Sequence, residues 1–94
     1  MKADFDSQAN ALLIDLIDAG RCDDAIEIDD IYCHVALWKG RVATIELLNP
    51  EDHLELLERA ADRLDLDGEA LIAAAKAALA APDRAVTVSD RLAA

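Results

Sequence analysis

IYCHVALWKGRVATIELL, residues 31–48, is the stretch on which the fold turns. Its halves, Ile31–Trp38 and Arg41–Leu48, are apolar and read as two strands. Lys39-Gly40 joins them. A two-residue primed turn needs positive φ at its centre, which glycine adopts without strain. The stretch is therefore a β-hairpin. Alternation along each strand sorts the side chains onto two faces. A regular two-residue turn puts Ile31, Cys33, Val35, Leu37, Val42 and Thr44 on one face. Tyr32, His34, Ala36, Trp38, Ala43, Ile45 and Leu47 take the other. Both faces are largely apolar, so either helices flank both or the aromatic face meets another chain.

Upstream, Ile26 and Ile28 alternate with Glu27 and Asp29, which predicts a third strand over 25–28 turning at Asp29-Asp30. Before it, Phe5, Ala9, Leu12, Leu13, Leu16 and Ile17 recur at helical spacing. Asp4 or Asp6 stands at an N-cap and Gly20 at the end, so a helix is expected over 5–19 with Met1–Asp4 frayed. Downstream, Asn49-Pro50-Glu51-Asp52 has the chemistry of a helix start running to Asp65, with Leu54, Leu57, Ala60, Ala61 and Leu64 inward. Asp67 caps a second helix over 68–81 in which only Glu69 and Lys76 are charged. Such an Ala-rich helix is either packed on several sides or lies in a subunit interface. Ala85–Val88 reads as a short edge strand, and Ser89–Ala94 as loose. The expected architecture is α+β: an N-terminal helix, a three-stranded antiparallel sheet centred on the 31–48 hairpin, two C-terminal helices and a C-terminal edge strand.

Ninety-four residues make one domain with a modest core, and with aromatics at 3% that core is aliphatic. Twenty Asp and Glu stand against nine Lys and Arg, a formal net charge of −11. Direct nucleic-acid binding is not expected, because phosphates demand a basic face. Anionic membranes are disfavoured for the same reason. Such a field attracts cations and basic proteins, although acidity also serves solubility or salt adaptation alone. Cys22 and Cys33 are too few for a disulfide framework, the start MKADFDSQ has no signal-peptide pattern, and no apolar run reaches membrane-spanning length. Two reduced thiols in a cytoplasmic protein are expected.

Few motifs carry chemistry. Asp65-Leu66-Asp67-Gly68 has the look of a calcium loop, but that alignment puts Arg63 and Ala74 where acidic ligands are required. Cys22, Cys33, His34 and His53 lack zinc-site spacing. His53 falls on the apolar side of its helix as a half-buried neutral side chain. Neither a nucleophile motif nor a phosphate loop is present, so no cofactor, no metal and no enzymatic activity is expected. Acyl-carrier proteins are also short and acidic, but their modified serine opens a central helix; Asp6-Ser7 lies at the N-terminus, and the hairpin is foreign to that fold.

The acids remain. Asp23, Asp24, Glu27, Asp29 and Asp30 cluster before the hairpin. Glu51, Glu55, Glu58 and Asp62 fall on one stripe of the predicted helix, with neighbours about 5–6 Å apart. Successive phosphates on a DNA strand lie about 7 Å apart by the helical path. In size and charge the chain resembles small phage and mobile-element inhibitors, including anti-CRISPR proteins, that occupy nucleic-acid grooves. The expected function is a non-enzymatic module that covers a basic protein surface through these nine residues. The alternative is a homodimeric accessory subunit, associating through the 68–81 helix or the Tyr32, His34 and Trp38 face.

Overall fold

The structure, a computed structural model, describes residues 1–88. Its elements are strands β1 (Lys2–Asp6), β2 (Ala11–Asp15), β3 (Asp24–Asp29), β4 (Cys33–Trp38) and β5 (Arg41–Leu48), a 3₁₀ turn Pro50–Asp52, helices α1 (Glu55–Leu64) and α2 (Gly68–Ala80), and strand β6 (Ala85–Thr87). The strands form one six-stranded antiparallel sheet in the order β3-β4-β5-β2-β1-β6. Both helices lie on the same face. The expected tail, Ser89–Ala94, lies outside the described residues.

The hairpin forms as its turn chemistry dictates: Lys39 (φ 51°) and Gly40 (φ 77°) both take positive φ, as a primed turn demands. Its register is a correction. Leu37 pairs with Val42, but Ala36 pairs with Thr44, so Ala43 is an extra, bulged residue. Every side chain of β5 beyond the bulge changes face. Ile45 and Leu47 thereby join Cys33 and Val35 inside, while Thr44 and Glu46 join Ala36 and His34 outside. Burying Ile45 and Leu47 is worth about 1.5–3 kcal/mol each. A disrupted ladder hydrogen bond costs about 1 kcal/mol, so the bulge wins.

The N-terminal helix and the three-stranded sheet are both overturned. Residues 2–15 form a hairpin, β1 and β2, and the sheet has twice the expected number of strands. Ala3 and Phe5 alternate inward on β1, as Leu12 and Ile14 do on β2. Between them the polar run Asp6–Asn10 turns the chain: Asp6 Oδ1 accepts from the amides of Gln8 (3.0 Å) and Ala9 (3.2 Å), and Asn10 takes φ 53°. Helical spacing across that run is a coincidence of two period-2 strands. The hairpin wins because β2 pairs with β5, whose eight residues would otherwise leave an unsatisfied edge. Met1–Asp4 is not frayed either; β1 is held by β2 on one side and β6 on the other, and the Val88 amide donates to the Met1 carbonyl at 2.8 Å.

The helix expected from Asn49 is interrupted. Asn49 is left-handed (φ 49°) with no capping bond; its side chain instead accepts from Asn10 Nδ2 at 2.9 Å, tying the first turn to the exit of β5. α1 begins only at Glu55. Asp67 does cap α2, accepting from the Ala70 amide at 3.1 Å. The small side chains of α2 let it pack closely: Leu71, Ala74, Ala75 and Ala78 are buried against the sheet and α1, and a Cβ on Gly68 would lie 3.3 Å from that of Ala61. This packing accounts for Ala74, Ala75 and Ala78, while Ala73 and Ala80 are exposed. The aliphatic core between helices and sheet includes Leu12, Ile14, Val35, Ile45, Leu47, Leu57 and Leu71.

Candidate functional site: two acidic surfaces

The helices cover one face of the sheet, and the register defines the other. Asp4 pairs with Leu13, Leu13 with Glu46, Glu46 with His34, and His34 with Glu27, so these five side chains run in a row across five strands. His34 sits between two glutamates. Its Nδ1 is 3.5 Å from Glu46 Oε1 and its Nε2 is 3.1 Å from the Asp30 carbonyl. Both partners are acceptors, so only the doubly protonated ring satisfies both. The Asp30 carbonyl and the Glu46 carboxylate accordingly raise the pKa of His34, against a smaller opposing effect of burial.

The five acids before the hairpin share a neighbourhood but not a job. Asp29 is a turn residue: its Oδ1 accepts from the amides of Tyr32 (2.9 Å) and Ile31 (3.0 Å), and these bonds hold its pKa below the usual carboxylate value. Asp24 Oδ1 accepts from the Ala25 amide at 2.8 Å. Asp23, Glu27 and Asp30 are exposed, and Glu27 projects from the uncovered face of the sheet-edge strand β3.

Of the predicted stripe, Glu51 lies in the 3₁₀ turn, while Glu55, Glu58 and Asp62 stand exposed on α1. The stripe does not join the β3 acids, because the arginines of α1 intervene. Arg63 Nη1 donates to the Glu27 carbonyl at 3.1 Å, and Arg59 lies near enough to help lower the pKa of Asp29. Glu58 and Asp62 turn the other way, toward α2. There, with Asp67 and Glu69, they rim a groove of about 760 Å³ floored by Ala61, Leu66, Ile72 and Ala73, with Lys76 also in its wall. Sequence periodicity found Glu58 and Asp62 but not this groove. The groove exists because the chain reverses at Leu66-Asp67 and sets α2 beside α1.

Among the described residues, several with reactive side chains gather around Tyr32. Its ring stacks on His53 with centroids 3.9 Å apart, and Asp29, Cys33 and Arg59 are close by. Asp29, His53 and Cys33 are engaged structurally. His53 Nδ1 lies 2.9 Å from the Asn49 carbonyl, an acceptor, so that nitrogen carries the proton. Burial, reinforced by the Asp29 charge, pushes the Cys33 thiol up to about 11, so it is neither a thiolate nor a nucleophile at neutral pH. Among the described residues no group of three or more His, Cys, Asp or Glu is placed to hold a metal ion. Tyr32, His34 and Trp38 do not make one aromatic patch. Tyr32 is on His53 and His34 on Glu46, while Trp38 lies against Gly20 with the Lys39 ammonium 4.8 Å from its ring. No helix among the described residues is long and apolar enough to cross a membrane.

Comparison with protein-family models, curated proteins and solved structures finds no match to this chain.

Proposed function

We propose that this protein is a non-enzymatic acidic module that binds a basic surface of another protein and competes there with nucleic acid, as small phage-encoded inhibitors do. One observation carries this: the acids are not paired with Lys or Arg. Among the described residues the one ion pair is His34–Glu46, and no Lys or Arg nitrogen comes within 4.0 Å of a carboxylate oxygen. A chain that used its carboxylates for internal pairing would spend its nine basic residues on them. Instead the field is directed outward, where it steers a cationic partner and accelerates encounter. Asp23, Asp24, Glu27 and Asp30 on the β3 side, and Glu51, Glu55, Glu58 and Asp62 on the helix side, are the contacts; Asp29 belongs to the turn and positions them. A cytoplasmic location is part of this proposal, since Cys22 and Cys33 are both free thiols and a reducing compartment keeps them so.

The test is affinity capture from lysate of the native host at low and high salt, with eluted proteins assayed for displacement by duplex DNA or RNA. Basic nucleic-acid-binding proteins should be retained at low salt and released by salt or nucleic acid. Charge reversal at and just before β3 (D23K/D24K/E27K) or on α1 (E55K/E58K/D62K) should abolish capture. Retention indifferent to salt and to both reversals would sink the idea.

A further inference from the structure

We infer that the groove between α1 and α2 is a docking site for a basic amphipathic helix. This rests on the reading of the protein as a binder of basic partners and assigns that partner a shape. On α2, Glu69, Ile72, Ala73 and Lys76 follow i, i+3, i+4, i+7 spacing, so one stripe of this helix faces the groove. Glu58, Ala61 and Asp62 line it from α1 at i, i+3 and i+4. The stripe from Glu69 to Lys76 is about 10 Å long, two turns of helix. The floor is apolar, with Leu66 and Ile72 half-buried and Ala73 exposed. Four carboxylates on the rim face one ammonium.

That combination selects its occupant. An oligocation without apolar groups would leave the floor wet, and an apolar helix without Lys or Arg would leave the rim unanswered. A helix with apolar residues at i, i+3 or i+4, and i+7, flanked by Lys and Arg, satisfies both. A second copy of this chain does not, because at a net charge of −11 two such surfaces repel.

The probe is a synthetic 14-residue Leu/Lys peptide with helical apolar spacing, titrated by fluorescence anisotropy at low salt. A scrambled peptide of the same composition and an oligolysine of equal charge serve as controls. The amphipathic peptide should bind at least tenfold more tightly than either control. A73R places a long cation in the groove at an exposed helical position where arginine is well tolerated. It should weaken the amphipathic peptide at least tenfold and leave oligolysine within twofold. D24K/E27K on β3 should leave the amphipathic peptide's affinity within threefold. If A73R changes nothing while D24K/E27K weakens all three cations, the groove is refuted and the broader function survives. If no cation binds, both fall. Concentration-dependent dimerisation that A73R abolishes would give the groove to a second copy and overturn the inference. Circular dichroism and a thermal melt of A73R verify that the variant is folded.

Discussion

His34 shows what a single position can make of its neighbours. Its two ring nitrogens face the Asp30 carbonyl and the Glu46 carboxylate, so folding raises its pKa above the unfolded value of about 6.5. The stabilisation is therefore complete below about pH 6.5 and is lost as pH rises through the folded pKa. Denaturation midpoints should fall across that window, and H34A should flatten this limb while leaving the acid limb unchanged; an identical limb in H34A would exclude the assignment. Asp29 and Asp83 have the opposite sign. Asp83 accepts from Ser7 Oγ at 2.6 Å and from the Ser7 amide at 2.8 Å, and both carboxylates are held below their usual pKa. Their contributions are present above about pH 3.9 and are lost as pH falls through the folded values. The turn at Asp29 was legible, because its donors lie 2 and 3 residues on. The pairing of His34 with Glu46 and of Asp83 with Ser7, 76 residues away, was not, because strand register and tertiary packing bring those partners together.

At the level of elements, what was legible depended on where the deciding contacts lay. The Lys39-Gly40 turn and the Asp67 cap follow from residues adjacent in sequence and formed as expected; the second hairpin strand kept its expected bounds, while the first begins at Cys33 rather than Ile31. β1 and β2 did not, because their spacing fits a helix as well as a turn between two strands; pairing with β5 made the choice. The Ala43 bulge was equally hidden, since it answers to which face the helices cover. α2 supplies the test at this scale. Ala74 is fully buried against its neighbours. A74L should overpack the helix against its neighbours and cost about 1–3 kcal/mol by urea denaturation. An A74L protein as stable as the wild type would mean that this flank of α2 is free for another partner.

Across the whole molecule, electrostatics and fold are separate properties. The core is one-sided and, apart from Phe5, has no buried aromatic, and no buried polar side-chain atom among the described residues lacks a partner. The surface carries most of the twenty acids with almost no internal neutralisation. Such a molecule repels itself, and salt screens exposed charges beyond about 10 Å at 0.1 M. Its melting temperature should therefore rise by several degrees between 10 mM and 300 mM NaCl, whereas binding to a basic partner should weaken over the same range. A melting temperature that is flat or falls with salt would show that the carboxylates are neutralised in ways the ion-pair geometry does not reveal.

The sequence by itself determined composition and sign: an aliphatic core, an acidic exterior, a primed turn at Lys39-Gly40 and a capped helix after Asp67. These follow from side-chain chemistry and from contacts within a few residues, which the chain states directly. Only the tertiary structure decided that residues 2–15 are a β-hairpin, that Ile45 and Leu47 face inward, and that the nine candidate acids divide between two surfaces with Arg59 and Arg63 between them. It also decided that Glu58 and Asp62 rim a groove. Those outcomes depend on long-range pairing and on which face is covered, where burying a few aliphatic side chains outweighs any local preference.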